Sequence, residues 1–104
     1  MNASPRIDRD LITREQIREH RFANAFEAVE SLRANWLITR GTDSFSAPSE
    51  VRVYLDNTRL GGIASLRSID PTTIAYIRHF DGISATARWG IDHGQGVIYV
   101  STHP

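Results

Sequence analysis

Residues 51–102 read VRVYLDNTRLGGIASLRSIDPTTIAYIRHFDGISATARWGIDHGQGVIYVST. Three apolar runs in this stretch have strand character. In the first, 51–56, alternation puts Val51, Val53 and Leu55 on one face. The second covers 74–80 (IAYIRHF) and the third 96–102 (GVIYVST). Between them lie short segments framed by turn residues. Asp56-Asn57-Thr58 makes a turn and Gly61-Gly62 breaks the chain. Residues 63–69 suit a short helix with Ile63, Leu66 and Ile69 inward, and Asp70 with Pro71 reads as N-cap and first position of a single helical turn. Asp81-Gly82 ends the second strand. Residues 84–89 are helix-compatible, with Gly90 placed to close that helix and a glycine-rich corner, Gly94 and Gly96, leading into the last strand.

Upstream, Thr13 is an N-cap with Gln16 three residues on as its capping-box partner. Phe22, Ala25, Phe26, Val29, Leu32 and Trp36 recur at spacings of three and four, one face of an α-helix. Helix is expected over 14–34, in two pieces if Asn24 caps a second one. Residues 36–39 (WLIT) read as a strand, and 41–50 as a loop in which Phe45 is a core anchor. The expected fold is α/β (α+β): a small sheet of three to four strands packed on an N-terminal helical region and two short connecting helices. Residues 1–10 form a disordered or edge segment, 11–102 one domain, and 103–104 a tail.

Composition removes several function classes. The chain of 104 residues has no cysteine, which excludes disulfides, iron–sulfur clusters, thiol catalysis and zinc-thiolate sites. Formal net charge is zero, which argues against non-specific nucleic-acid binding. No run approaches the ~18 apolar residues of a membrane-spanning helix. All basic residues are arginine, with no lysine. A GC-rich genome explains this; a surface selecting bidentate anion contacts is the sharper alternative, although the arginines are scattered along the chain.

No catalytic constellation stands out. The glycines at 61–62, 90, 94 and 96 are not a phosphate cradle, because a P-loop needs Gly-Lys-Ser/Thr. They permit positive φ or close backbone approach. A Ser/His/Asp triad lacks its Gly-x-Ser-x-Gly elbow. His79 with Asp81 and Asp92 with His93 are weak candidate metal ligands if the last two corners meet in space. Their spacing matches no metal motif, and solvated or hydrogen-bonded surface histidines are the better explanation. No catalytic residue and no cofactor is expected.

In their order and spacing, four pieces of the chain resemble the plug domain of TonB-dependent outer-membrane receptors. They are Val53-Tyr54-Leu55-Asp56-Asn57; Ile69-Asp70-Pro71-Thr72-Thr73-Ile74 through Asp81-Gly82; Ser84-Ala85-Thr86-Ala87-Arg88-Trp89-Gly90; and Gly94 with Gly96-Val97-Ile98-Tyr99-Val100-Ser101-Thr102. The helical segments from Thr13 and Asn24 resemble that domain's opening. Asp56, Pro71, Gly82, Gly90, Gly94 and Gly96 carry the structural motif. The 104 residues contain neither the family's barrel nor a TonB box, and Asn35-Trp36-Leu37-Ile38 replaces its usual Pro-Gly-Val. The resemblance therefore implies a stand-alone, non-enzymatic plug-like module that binds an envelope protein or small ligand. It implies a periplasmic or outer-membrane-associated location if a leader has been removed, and otherwise a cytoplasmic one. A small histidine/aspartate metal-binding or enzymatic domain, and a self-associating module pairing as a homodimer through an edge strand, are the alternatives.

Overall fold

A computed structural model describes residues 9–38, 51–90 and 93–104. Its central feature is a five-stranded mixed sheet in the order β1-β4-β5-β2-β3. The strands are β1 (Leu11–Thr13), β2 (Arg52–Leu55), β3 (Thr58–Gly61), β4 (Tyr76–Phe80) and β5 (Val97–Ser101). β5 lies between antiparallel β4 and parallel β2, pairing His79 with Ile98 on one side and Val53 with Ile98 on the other. β1 and β3 are antiparallel edges on β4 and β2. The fold is α+β, as expected, with more strands than expected. β1 and β3 are the additions; β3 follows the Asp56-Asn57 turn as the return arm of a hairpin.

Local chemistry sets the helix ends. In α1 (Arg14–Arg18), Thr13 Oγ1 accepts from Gln16 N at 3.2 Å while Gln16 Oε1 accepts from Thr13 N at 2.9 Å, a reciprocal capping box. Asn24 caps α2 (Ala25–Leu32) by accepting from Glu27 N at 2.9 Å. The two-piece reading of 14–34 therefore holds. Short 310 helices cover Ile63–Ser68 and Pro71–Thr73, the latter capped by Asp70 with Pro71 at its start. Asp81 caps α3 (Gly82–Trp89), accepting from Ser84 N at 2.7 Å.

The strand expected at 36–39 is a 310 helix over Ala34–Leu37. Consecutive apolar residues cannot all face one side of a strand. The tighter turn buries Trp36 at 1% exposure and leaves Ile38 at 64%. The expected loop at 41–50, with Phe45, lies outside the described residues, as do residues 1–8.

Period-two alternation divides the sheet into two faces. One carries Ile12, Val53, Ile77, Ile98 and Val100 into the main core with Ala25, Val29, Trp36, Leu66 and Ile74. Each fully buried aliphatic side chain there contributes about 1.5–3 kcal/mol relative to exposure. The opposite face carries a smaller cluster. In it α3 lays Ala85 and Trp89 over Tyr54, Val97, Phe80 and Tyr99.

Candidate functional site

The motif residues are corner pieces. Asp56 has φ +52°, and its carboxylate accepts from Thr102 N at 2.9 Å and Thr102 Oγ1 at 2.7 Å. That clasp ties the end of β2 to the end of β5. These two hydrogen bonds hold the Asp56 carboxyl below the usual aspartate range, helped by His103. Asp70 is lowered in the same way by the backbone and hydroxyl of Thr72. Asp81 is lowered by its bonds to Ser84 and, more weakly, by His79.

Two glycines are required where the end of β4 meets the turn before β5. A Cβ on Gly82 would run into the Gly94 carbonyl. Gly96 sits at φ +101°, and a Cβ there would lie 2.7 Å from the Phe80 carbonyl oxygen. Gly90 closes α3, its N–H donating to Thr86 O at 2.9 Å.

The four weak metal candidates have separate local roles as far as they are described. His79 stacks on Trp36 with ring centroids 5.3 Å apart, on the main-core side, and its Nδ1 lies 3.2 Å from Asp10 Oδ1. Asp81 caps α3. His93 is 2% exposed, within the smaller aromatic cluster on the opposite face. Its Nδ1 lies 3.2 Å from the Gly90 carbonyl, which can only accept, so Nδ1 donates; Nε2 lies 2.9 Å from the Tyr54 hydroxyl. Asp92 lies outside the described residues. Among the described residues, no group of three His, Cys, Asp or Glu side chains is placed to hold a metal ion.

His79 and Asp81 instead border a polar cleft of about 550 Å³. Asp10 and Arg9 enter it from the turn before β1, Trp36 and Ile38 from the 310 helix, and Gly94 and Gln95 from the turn before β5. Two backbone bonds build this corner. Trp36 Nε1 donates to Arg9 O at 3.0 Å, and His79 N donates to Asp10 O at 2.8 Å. The carboxylate of Asp10 and the ring of His79 make a hydrogen-bonded pair. With Asp10 61% exposed, that pair adds at most about 1 kcal/mol. Among the described residues, no serine, threonine, cysteine or lysine lines the cleft. The rim is apolar at two points: Ile38 is 64% exposed and Ile83 85%.

Asp10, Trp36 and Ile83 are among the cleft residues that the sequence did not single out for a site. Asp10 and His79 are 69 positions apart, and no local pattern links them. Comparison with known proteins finds no matching family model, no matching curated protein and no matching solved structure. No helix among the described residues is long and apolar enough to cross a membrane.

Proposed function

We propose that this chain is a non-enzymatic, plug-like binding module of the cell envelope, resembling the plug domain of TonB-dependent receptors. The observation that carries the binding part is the cleft beside His79. It is a polar hollow in which no described residue is a serine, threonine, cysteine or lysine, flanked by exposed Ile38 and Ile83. Apolar side chains of this size exposed around a polar concavity suit a partner surface that covers them. The plug-like part is supported by the motif itself: Asp56 clasps β2 to β5, Pro71 opens a 310 turn, and Gly82, Gly90 and Gly96 sit at tight or positive-φ corners, whereas a side chain at Gly94 would meet open space.

Fractionation of the full-length gene product in its native host tests the location. Recovery with the periplasmic or outer-membrane fraction is expected, and recovery in the cytosol overturns the envelope assignment. Self-association is the second reading, favoured by β3. Residues Thr58, Arg59 and Leu60 are exposed, and among the described residues the strand pairs only with β2, so that no described strand lies on its outer edge. Light scattering across a wide concentration range decides it: a monomer throughout removes this reading.

A further inference from the structure

α1 and the residues after it form one wall of a second hollow, about 440 Å³ in volume, on the main-core side of the molecule. Its other wall is the 310 turn at Pro71–Thr73. The interior is apolar: Ile17 and Ile74 are buried in the core, and Phe22 packs against the same cluster. Arg21 follows in the non-helical segment beyond α1, while Arg14 and Arg18 stand one helical turn apart on that helix. Like charges at that spacing repel. Among the described residues no carboxylate borders the hollow to relieve this. The aspartate beside it, Asp70, is engaged with the backbone and hydroxyl of Thr72 at 2.9 and 2.8 Å. Glu15 lines a different hollow on the far side of Arg14. Among the described residues, Arg14, Arg18 and Arg21 have no hydrogen-bond or ion-pair partner. A chain of zero net charge therefore concentrates three unpaired guanidinium groups around one apolar hollow.

We infer that this hollow binds a small amphipathic anion, a phosphate monoester or carboxylate on a short apolar body. The arginines clamp the anionic head, and the apolar body lies on Ile17, Phe22 and Ile74. Guanidinium groups suit such a head because their planar donors match two oxygens at once. The volume falls within the range of small-ligand sites, about 300–1,000 Å³. This inference does not depend on the plug reading or on the location of the protein.

The test is calorimetry on the full chain with octyl phosphate below its micellar concentration. Octyl glucoside serves as the neutral amphiphile and inorganic phosphate as the bare anion. Amide spectra locate the response. The expected result is a single saturable site for octyl phosphate, with shifts at Ile17, Phe22 and Ile74. Both comparators should bind at least about tenfold more weakly, the discrimination that loss of one charge-assisted hydrogen bond gives. Arg18→Gln combined with Arg21→Gln changes two exposed side chains, and it should weaken octyl phosphate by the same order while the amide spectrum of the sheet stays unchanged. Equal affinity for octyl glucoside overturns the inference, as does indifference to the arginine replacements. Binding to phosphatidylglycerol vesicles without binding to free octyl phosphate also overturns it, because it assigns the arginines to a membrane surface.

Discussion

At Gly96 the backbone holds φ +101° with the Phe80 carbonyl 2.7 Å from where a Cβ would stand. Alanine there meets both a strained dihedral and a clash with backbone, so Gly96→Ala should destabilise by about 2–4 kcal/mol. Thermal unfolding checks this, since each ~1 kcal/mol lowers the melting temperature by roughly 4–8 °C in a domain of this size. An unchanged melting temperature would show that the corner relaxes freely. The acid side of the stability profile follows from three carboxylates. Asp56, Asp70 and Asp81 all have depressed values in the folded chain, each through hydrogen bonds to its anionic form. The unfolded chain therefore takes up protons first. The stability they contribute is present above the ordinary aspartate value of 3.8 and is lost as pH falls through the lower folded values. Urea midpoints should fall on going from pH 5 to about pH 3. Asp56→Asn, which keeps the shape and removes the charge, should make that fall shallower. At this scale the sequence is highly legible. Thr13 with Gln16, Asn24, and Asp70 with Pro71 act through neighbours two or three positions away, and each sits where its local pattern puts it. His79 with Asp10 has no such neighbour pattern, and the site it helps build was not legible.

Among the elements, period decides what can be read. β2, β4 and β5 alternate or run apolar for long enough to be recognised, and α2 shows its buried stripe. Residues 36–39 do not, because three successive apolar residues satisfy a strand and a tight helical turn equally. The burial of Trp36 against β1 and β4, which is tertiary, selects the turn. β3 was missed for the opposite reason. It is an exposed hairpin arm with burial pattern eeei and no apolar alternation to reveal it. α3 was read from its small residues and closing glycine, but its role as the lid of a separate aromatic cluster was not. Trp89 stacks with Tyr54 and meets Phe80 edge-on, with ring centroids 5.1 and 5.0 Å apart. Because Trp89 is only half-buried, Trp89→Ala should cost roughly 2–3 kcal/mol, less than a fully enclosed tryptophan. Amide shifts should gather around Tyr54, Tyr99 and His93 and leave Val29 and Leu66 in place. Changes spread evenly through both clusters would show that the two faces are not independent.

For the molecule as a whole, the balance of charges hides an uneven distribution. The arginines look scattered along the chain, yet the fold gathers Arg14, Arg18 and Arg21 around one hollow. The order of the sheet was equally hidden, since three strand-like runs fix neither neighbours nor direction. The observed order makes β5 the partner of both β4 and β2. Deleting residues 97–104 should therefore abolish the cooperative unfolding transition seen by circular dichroism. Deleting residues up to Asp10 should leave one, because among the described residues this removes no strand and takes away only the bonds of Trp36 Nε1 to Arg9 O and His79 N to Asp10 O and the Asp10–His79 pair. The same order has a consequence in time. During synthesis β1, β2, β3 and β4 all leave the ribosome before β5 does, and only β2 and β3 are neighbours among them apart from the late pairing of β1 with β4. Until residues 97–101 emerge, the edges of β2 and β4 that β5 will join keep their backbone N–H and C=O groups unpaired. The nascent chain is then most exposed to capture by chaperones and to mispairing, and the arrival of its last strand closes both halves at once.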